Sequence, residues 1–411
     1  MWMKTKSKQS GVISVFIPLY SKAGKYLYSF IFILSWLKGA LAVSKSTGNF
    51  ISLMSIFILL GSTLVYILLK RKIPKFSLID YLTLFISILI LLYYIPNVEY
   101  YASTYRVFQL LIFNIPLYFI GRILFRYQKD FKIFISFFIL TSIPILTMSL
   151  FNYFILHSHW YARVGNLTYL RVSFMLVSLI IFFISFGLVS YSSKKRILYF
   201  LTASLLIPLF SVLPMRSILI SFFIVILILL FYILYVNHEK KMQILFLFLF
   251  MAGIDLIIAL IFKEHLLNAP LAVRFKQLIS GGGISIQTRV LRAHESFINL
   301  SLLGHGVAGF ECYYGLGKFV HNLFLELLYN YGIFGIIIMV WFLIFLMKSM
   351  ELLRISLYSR NPYSLFLALV FLLFFFEKLG SSLPETRELF VLSALIYNEL
   401  SLHHETLREK G

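Results

Sequence analysis

Acidic and sulfur ligands are scarce in this chain of 411 residues. It holds one cysteine, Cys312, and three aspartates, Asp80, Asp130 and Asp255. A single cysteine excludes an internal disulfide and a thiolate-held metal cluster. Three isolated aspartates leave no DxD pair to hold a metal, and neither HExxH nor CxxC occurs. The run Gly281-Gly282-Gly283 is not followed by Lys-Ser/Thr, so it reads as a hinge and not as a phosphate loop. Charge is short as well, at 13% of residues, where a soluble domain carries about 25%.

What fills the gap is apolar. Hydrophobic residues make up 60% of the chain and aromatics 18%, and mean hydropathy is +0.91. The apolar stretches run for about twenty residues without the alternation of a membrane β-strand, so they predict an all-α polytopic membrane protein. Expected spans fall near 26–43, 49–69, 78–95, 106–125, 133–153, 170–191, 197–213, 217–236, 243–262, 323–347, 363–378 and 387–402, twelve in all. The whole chain, 1–411, reads as one integral membrane domain. A long polar stretch, 263–320, separates the ninth and tenth spans.

The net charge of +21 does not point to nucleic acid, because of where the cations lie. Lys4, Lys6, Lys8, Lys22 and Lys25 precede the first span. Lys70, Arg71, Lys72 and Lys75 end the second, and Lys194, Lys195 and Arg196 end the sixth. Basic short connections mark the cytoplasmic side, which predicts both termini inside and the 263–320 loop outside. The basic start is not followed by an apolar stretch with a small-residue cleavage site, so it reads as a retained N-terminus.

Chemistry without metal ligands falls to arginine, histidine and glutamate. Candidate outer-face arginines are Arg163 and Arg171 around the start of the sixth span, Arg216 after Pro214, and Arg289 and Arg292 late in the long loop. Guanidinium forks match phosphate oxygens, and several on one face converge on an anion. His321 opens the tenth span, where an imidazole with an ordinary pKa of ~6.5 accepts a proton near neutrality. Asn322 and Glu326 lie four apart on one helix face, with Glu326 about one turn into the apolar run. Gly332 and Gly335 read as close-packing positions.

Weaker candidates are His294 and the turn Gly304-His305-Gly306, in which the backbone counts for more than the ring. His157 and His159 read as interfacial. The turn carrying Glu377, Lys378, Glu385, Arg387 and Glu388 reads as solvated. Taken alone, these residues leave two classes open: a membrane enzyme acting at the outer boundary, and a transporter of lipid-linked oligosaccharide. Arginines at the span ends, not mid-membrane, favour the first.

The order Arg289, Gly304-His305-Gly306, Gly309-Phe310, His321-Asn322, Glu326, Gly332 and Gly335 resembles the bacterial O-antigen polymerase and ligase superfamily. Arg216 in MRSIL resembles a short arginine motif of that family, with Met215 at the usual serine. Arg163-Val-Gly165 resembles its arginine–glycine stretch, without the asparagine-rich continuation. The matches cover roughly 160–335. The resemblance implies an inner-membrane glycosyltransferase of the GT-C type with about a dozen helices and a large periplasmic loop. It also implies undecaprenyl-diphosphate-linked glycan repeat units as substrate, no cofactor or metal, and a chain-length regulator as a candidate partner. On this reading Arg216, Arg289, His321 and Glu326 are catalytic. Arg163, Arg171, Arg292, His294, Gly304, Gly306 and Asn322 bind substrate.

Overall fold

The computed structural model describes residues 25–29, 76–125, 128–154, 169–212, 216–235, 241–261, 284–380 and 386–408, with isolated positions at 54–67, 272–276 and 383. The two expected spans at 26–43 and 49–69 lie almost wholly outside the described residues. The described residues are helical, with no strand among them. The helices are α1 (Leu78–Tyr94), α2 (Tyr101–Leu124), α3 (Gln128–Phe154), α4 (Tyr169–Val189), α5 (Ser193–Leu206), α6 (Arg216–Tyr235) and α7 (Lys241–Ile261). After them come α8 (Ile284–Ile298), α9 (Gly309–Tyr314), α10 (Leu323–Tyr331), α11 (Gly335–Ser359), α12 (Pro362–Lys378) and α13 (Arg387–Arg408).

Six stretches are long and apolar enough to cross a membrane: Leu78–Asn97, Tyr101–Leu124, Asp130–Ser149, Val172–Val189, Arg216–Tyr235 and Leu323–Ser359. α6 shows why lipid and not water surrounds them. Ile218, Phe222, Val225, Leu229 and Ile233 form a buried stripe at helical spacing. Phe223, Leu227 and Phe231 on another face are 57%, 66% and 65% exposed. A helix apolar all round, with one face open, suits hydrocarbon on that face.

α12 is the axis of the bundle. Every residue from Ser364 to Phe375 is buried, against α4, α6, α11 and α13. Asn361 caps it, accepting from the backbone N–H groups of Tyr363 and Ser364, and Pro362 follows at the first helical position. Phe374 stacks on Phe174 of α4 at 4.3 Å. α11 runs antiparallel to α1, and Trp341 donates its indole N–H to Thr83 at 2.9 Å.

Two expectations change here. The tenth span, expected as one run over 323–347, is broken. α10 ends after nine residues, a 3-10 turn covers Gly332–Phe334, and α11 runs on to Ser359. The break comes at Gly332, whose φ is +56°. A Cβ there would meet the Leu302 carbonyl oxygen at 2.1 Å. The glycine therefore lets a loop cross the helix end, where close helix–helix packing was expected. Second, the loop 263–320 carries structure of its own. Among its described residues, α8 and α9 pack on α10.

Candidate functional site

The site forms where α10 lies across one end of the bundle. The Leu323 backbone N–H at its start donates to the Leu379 carbonyl just past α12, at 2.9 Å. At its far end the 302–309 turn is laced to it. His305 N–H donates to Tyr329 O, Gly306 N–H to Asn330 O, and Ile333 N–H to Leu302 O, each at 2.9 Å. The same turn is tied to the end of α1, with Val307 N–H donating to Tyr93 O at 2.8 Å and the Asn97 side chain to His305 O at 2.7 Å. α10 is thus strapped between the ends of α12 and α1.

His321 stands immediately before this helix, in the left-handed region at φ +59°. Such a backbone is held by its surroundings, not by its own preference. Its ring packs against Phe319, with centroids 4.1 Å apart. Nε2 of His321 lies 3.4 Å from Nη1 of Arg292. A guanidinium only donates, so Nε2 can accept there in the tautomer that carries its proton on Nδ1. Burial, then the charges of Arg289 and Arg292, hold the His321 pKa down to about 4, against an upward pull from its hydrogen bond to the Gly380 backbone.

The two arginines come from α8. They stand three residues apart, on one face, and bear on His321 together. Arg289 is exposed and Arg292 half-buried. Among the described residues neither has a carboxylate partner. Two guanidiniums on one face beside an imidazole can converge on one anion.

The remaining candidates divide. Arg216 opens α6 and is partly exposed. The α4–α5 hairpin returns the chain to the end of the bundle where α4 begins, which places Arg216 at the same end as His321. Glu326 is 4% exposed, in the first turn of α10. Asn322, four residues before it, is the helix cap. It is exposed, and its Oδ1 accepts from Leu325 N–H at 3.1 Å, so it serves the helix end. His294 is exposed on α8. Gly304 and Gly306 sit at φ +75° and +83° in the turn. The His305 ring stacks on Tyr329 at 4.3 Å and its Nε2 lies 2.6 Å from Asn299 O, so ring and backbone both fix that turn. Arg163, His157 and His159 lie outside the described residues, and Arg171 falls in the first turn of α4.

The turn after α12, expected as solvated, is corrected. Glu377 and Lys378 are each 6% exposed. Lys378 sits over the Phe174 ring and 3.6 Å from the Glu377 carboxylate. The strap to α10 explains this, since Leu379 and Gly380 are where His321 and Leu323 are held.

Sequence reading missed one element of the site. Arg106 on α2 clamps Glu311 on α9 with two 2.6 Å hydrogen bonds, and both groups are buried. Glu311 also accepts the Gly317 N–H at 2.8 Å, which fixes the segment leading into His321. A pair 205 residues apart carries no local signal. The only hint was an arginine and a glutamate in otherwise uncharged stretches. Among the described residues no three His, Cys, Asp or Glu side chains come together as a metal site. No family model matches the chain, and no curated protein matches it.

Proposed function

We propose that the chain is a glycosyltransferase that polymerises glycan repeat units carried on undecaprenyl diphosphate, at the periplasmic face of the bacterial inner membrane. On this reading the chain has twelve spans, both termini are cytoplasmic, and the 263–320 loop is periplasmic. The observation that carries it is the trio of Arg289, Arg292 and His321, two uncompensated guanidiniums against a neutral imidazole at one end of an apolar bundle. A diphosphate leaving group needs cations, and an attacking hydroxyl needs an unprotonated base.

The step runs as a single displacement. The acceptor hydroxyl oxygen attacks the anomeric carbon of the donor. The bond from that carbon to the diphosphate oxygen breaks, and its electron pair leaves with the diphosphate. Arg289 and Arg292, joined by Arg216, offset the charge that grows there. The hydroxyl proton passes to His321. Burial and the two arginine charges together keep the His321 basicity low. A bound diphosphate cancels the arginine part of that depression and raises the His321 basicity, while the part due to burial remains.

The test is turnover of a synthetic undecaprenyl-diphosphate repeat unit by the purified chain, with EDTA present. Long chains are expected from the wild type. Arg289→Ala and His321→Ala should give none while inserting normally, and Arg289→Lys should fail too, because a point charge lacks the fork. Long chains from both alanine variants would remove the mechanism. In a deletion strain, one repeat unit left on lipid A-core marks a lost polymerase. No glycan there marks a ligase.

A further inference from the structure

The face of α8 that carries the arginines continues past them. Glu295 follows Arg292 by three residues, one helical turn on. It lies near Tyr314, close enough for its carboxylate charge to bear on the phenol. Tyr314 stacks on Phe310 at 4.3 Å, and Tyr313 packs edge-on against Tyr314 at 4.8 Å. Tyr329 of α10 closes the back of this cluster against Phe310 at 5.6 Å. Tyr313 itself is 80% exposed. The open Tyr313 ring thus adjoins Tyr314, which faces Glu295.

We infer that Glu295, Tyr313 and Tyr314 form a sugar-binding subsite next to the arginines, holding the ring directly attached to the diphosphate. The inference rests on the proposed function for the diphosphate itself. Sugar rings have a polar rim of hydroxyls and an apolar C–H face. A carboxylate accepting from the rim and an aromatic ring under the face suit both parts at once. Other occupants fit less well. A lipid tail has no use for Glu295, and a second phosphate is repelled by it. One α-helical turn is about 5 Å, roughly the width of one sugar ring, so the ring next to an anion on Arg292 comes level with Glu295.

The experiment uses the full chain in nanodiscs and two probes. One is inorganic pyrophosphate. The other is the repeat-unit oligosaccharide freed by mild acid from the lipid carrier of the strain that makes the chain. Glu295→Gln and Tyr313→Ala are expected to weaken oligosaccharide binding about tenfold and to leave pyrophosphate binding as it was. Tyr313→Ala changes an exposed side chain, so misfolding does not confound it. Wild-type oligosaccharide affinity in both variants overturns the subsite and leaves the proposed function standing. So does a wild type that binds pyrophosphate and no oligosaccharide. A wild type that binds neither probe overturns the proposed function and the subsite with it.

Discussion

The two ends of the helical bundle treat arginine in opposite ways. At the end where α1 begins, Arg122 is fully answered. Its Nε and Nη2 donate to the two oxygens of Asp80 at 2.9 and 3.0 Å, its Nη1 donates to Asn398, and it lies over the Tyr397 ring at 3.9 Å. Tyr118 adds a 3.0 Å bond to the same carboxylate. At the other end Arg289 and Arg292 meet each other's charge and a neutral imidazole. The difference separates structure from function. A guanidinium locked on a carboxylate fixes helices and has nothing left to give a ligand. A guanidinium without one keeps its fork free at the cost of repulsion, and the protein tolerates that repulsion only where something else supplies the anion.

The comparison breaks hardest at the answered end. Asp80→Ala strands Arg122 among buried helices, and removing one partner of a buried pair costs about 3–5 kcal/mol. The purified protein should melt far lower or fail to accumulate. Replacing both partners with apolar residues should recover much of the loss. At the unanswered end the pattern inverts. Arg289→Ala removes like-charge repulsion and buries nothing, so its melting temperature should hold. Glycan chain formation should fall roughly 100- to 1000-fold, as when one group stabilising transition-state charge is lost. If Arg289→Ala destabilised the fold as Asp80→Ala does, the contrast would be void. A smaller effect tests the strap. Gly332→Ala forces alanine onto a backbone at φ +56°, ψ −137°, which is nearly glycine-only and costs about 1–3 kcal/mol, and pushes a Cβ against the Leu302 carbonyl. Stability should drop modestly. Activity should drop more, because the shifted 302–309 turn holds α10, and His321 stands immediately before α10.

How much of this the sequence disclosed follows from how far each signal reaches. Apolar runs are local, so the span expected at 78–95 is found as Leu78–Tyr94, and a helix, Pro362–Lys378, stands where 363–378 was expected. Arg289, Arg292 and His321 lie within one stretch, and their chemistry alone brought them together. Hydropathy did not show the break at Gly332. The residues around it are as apolar as a continuous helix, and only the crossing of Leu302 requires the kink. Nor did it show that Glu377 and Lys378 are buried, since charge after an apolar run reads as solvent until a neighbouring helix is seen to cover it. Arg106–Glu311 and Asp80–Arg122 join distant positions, and no window spans them. Asn322 reads from spacing as sharing a helix face with Glu326, and only the backbone shows that it caps the helix instead.

The subtlest test concerns the proton on His321. Its pKa, about 4 in the folded protein, lies below the ~6.5 of an unfolded chain. Between those values the unfolded state binds the proton and the folded state resists it, so stability is complete above about pH 6.5 and is lost as pH falls towards 4. His321→Gln should flatten that part of the stability–pH curve. An anion reverses the cause. Pyrophosphate on Arg289 and Arg292 cancels the repulsion that helps hold the imidazole neutral, so the His321 ring should titrate at higher pH with pyrophosphate bound. Linkage then requires pyrophosphate to bind more tightly as pH falls through that range. The measurement is the histidine ring chemical shift against pH, with and without pyrophosphate. The same titration midpoint in both would mean that the anion does not lie on these arginines. An upward shift that persisted in Arg289→Ala would put it on other cations. An upward shift lost in Arg289→Ala would place anion, arginine and imidazole in one site, which the clamped arginine at the opposite end cannot form.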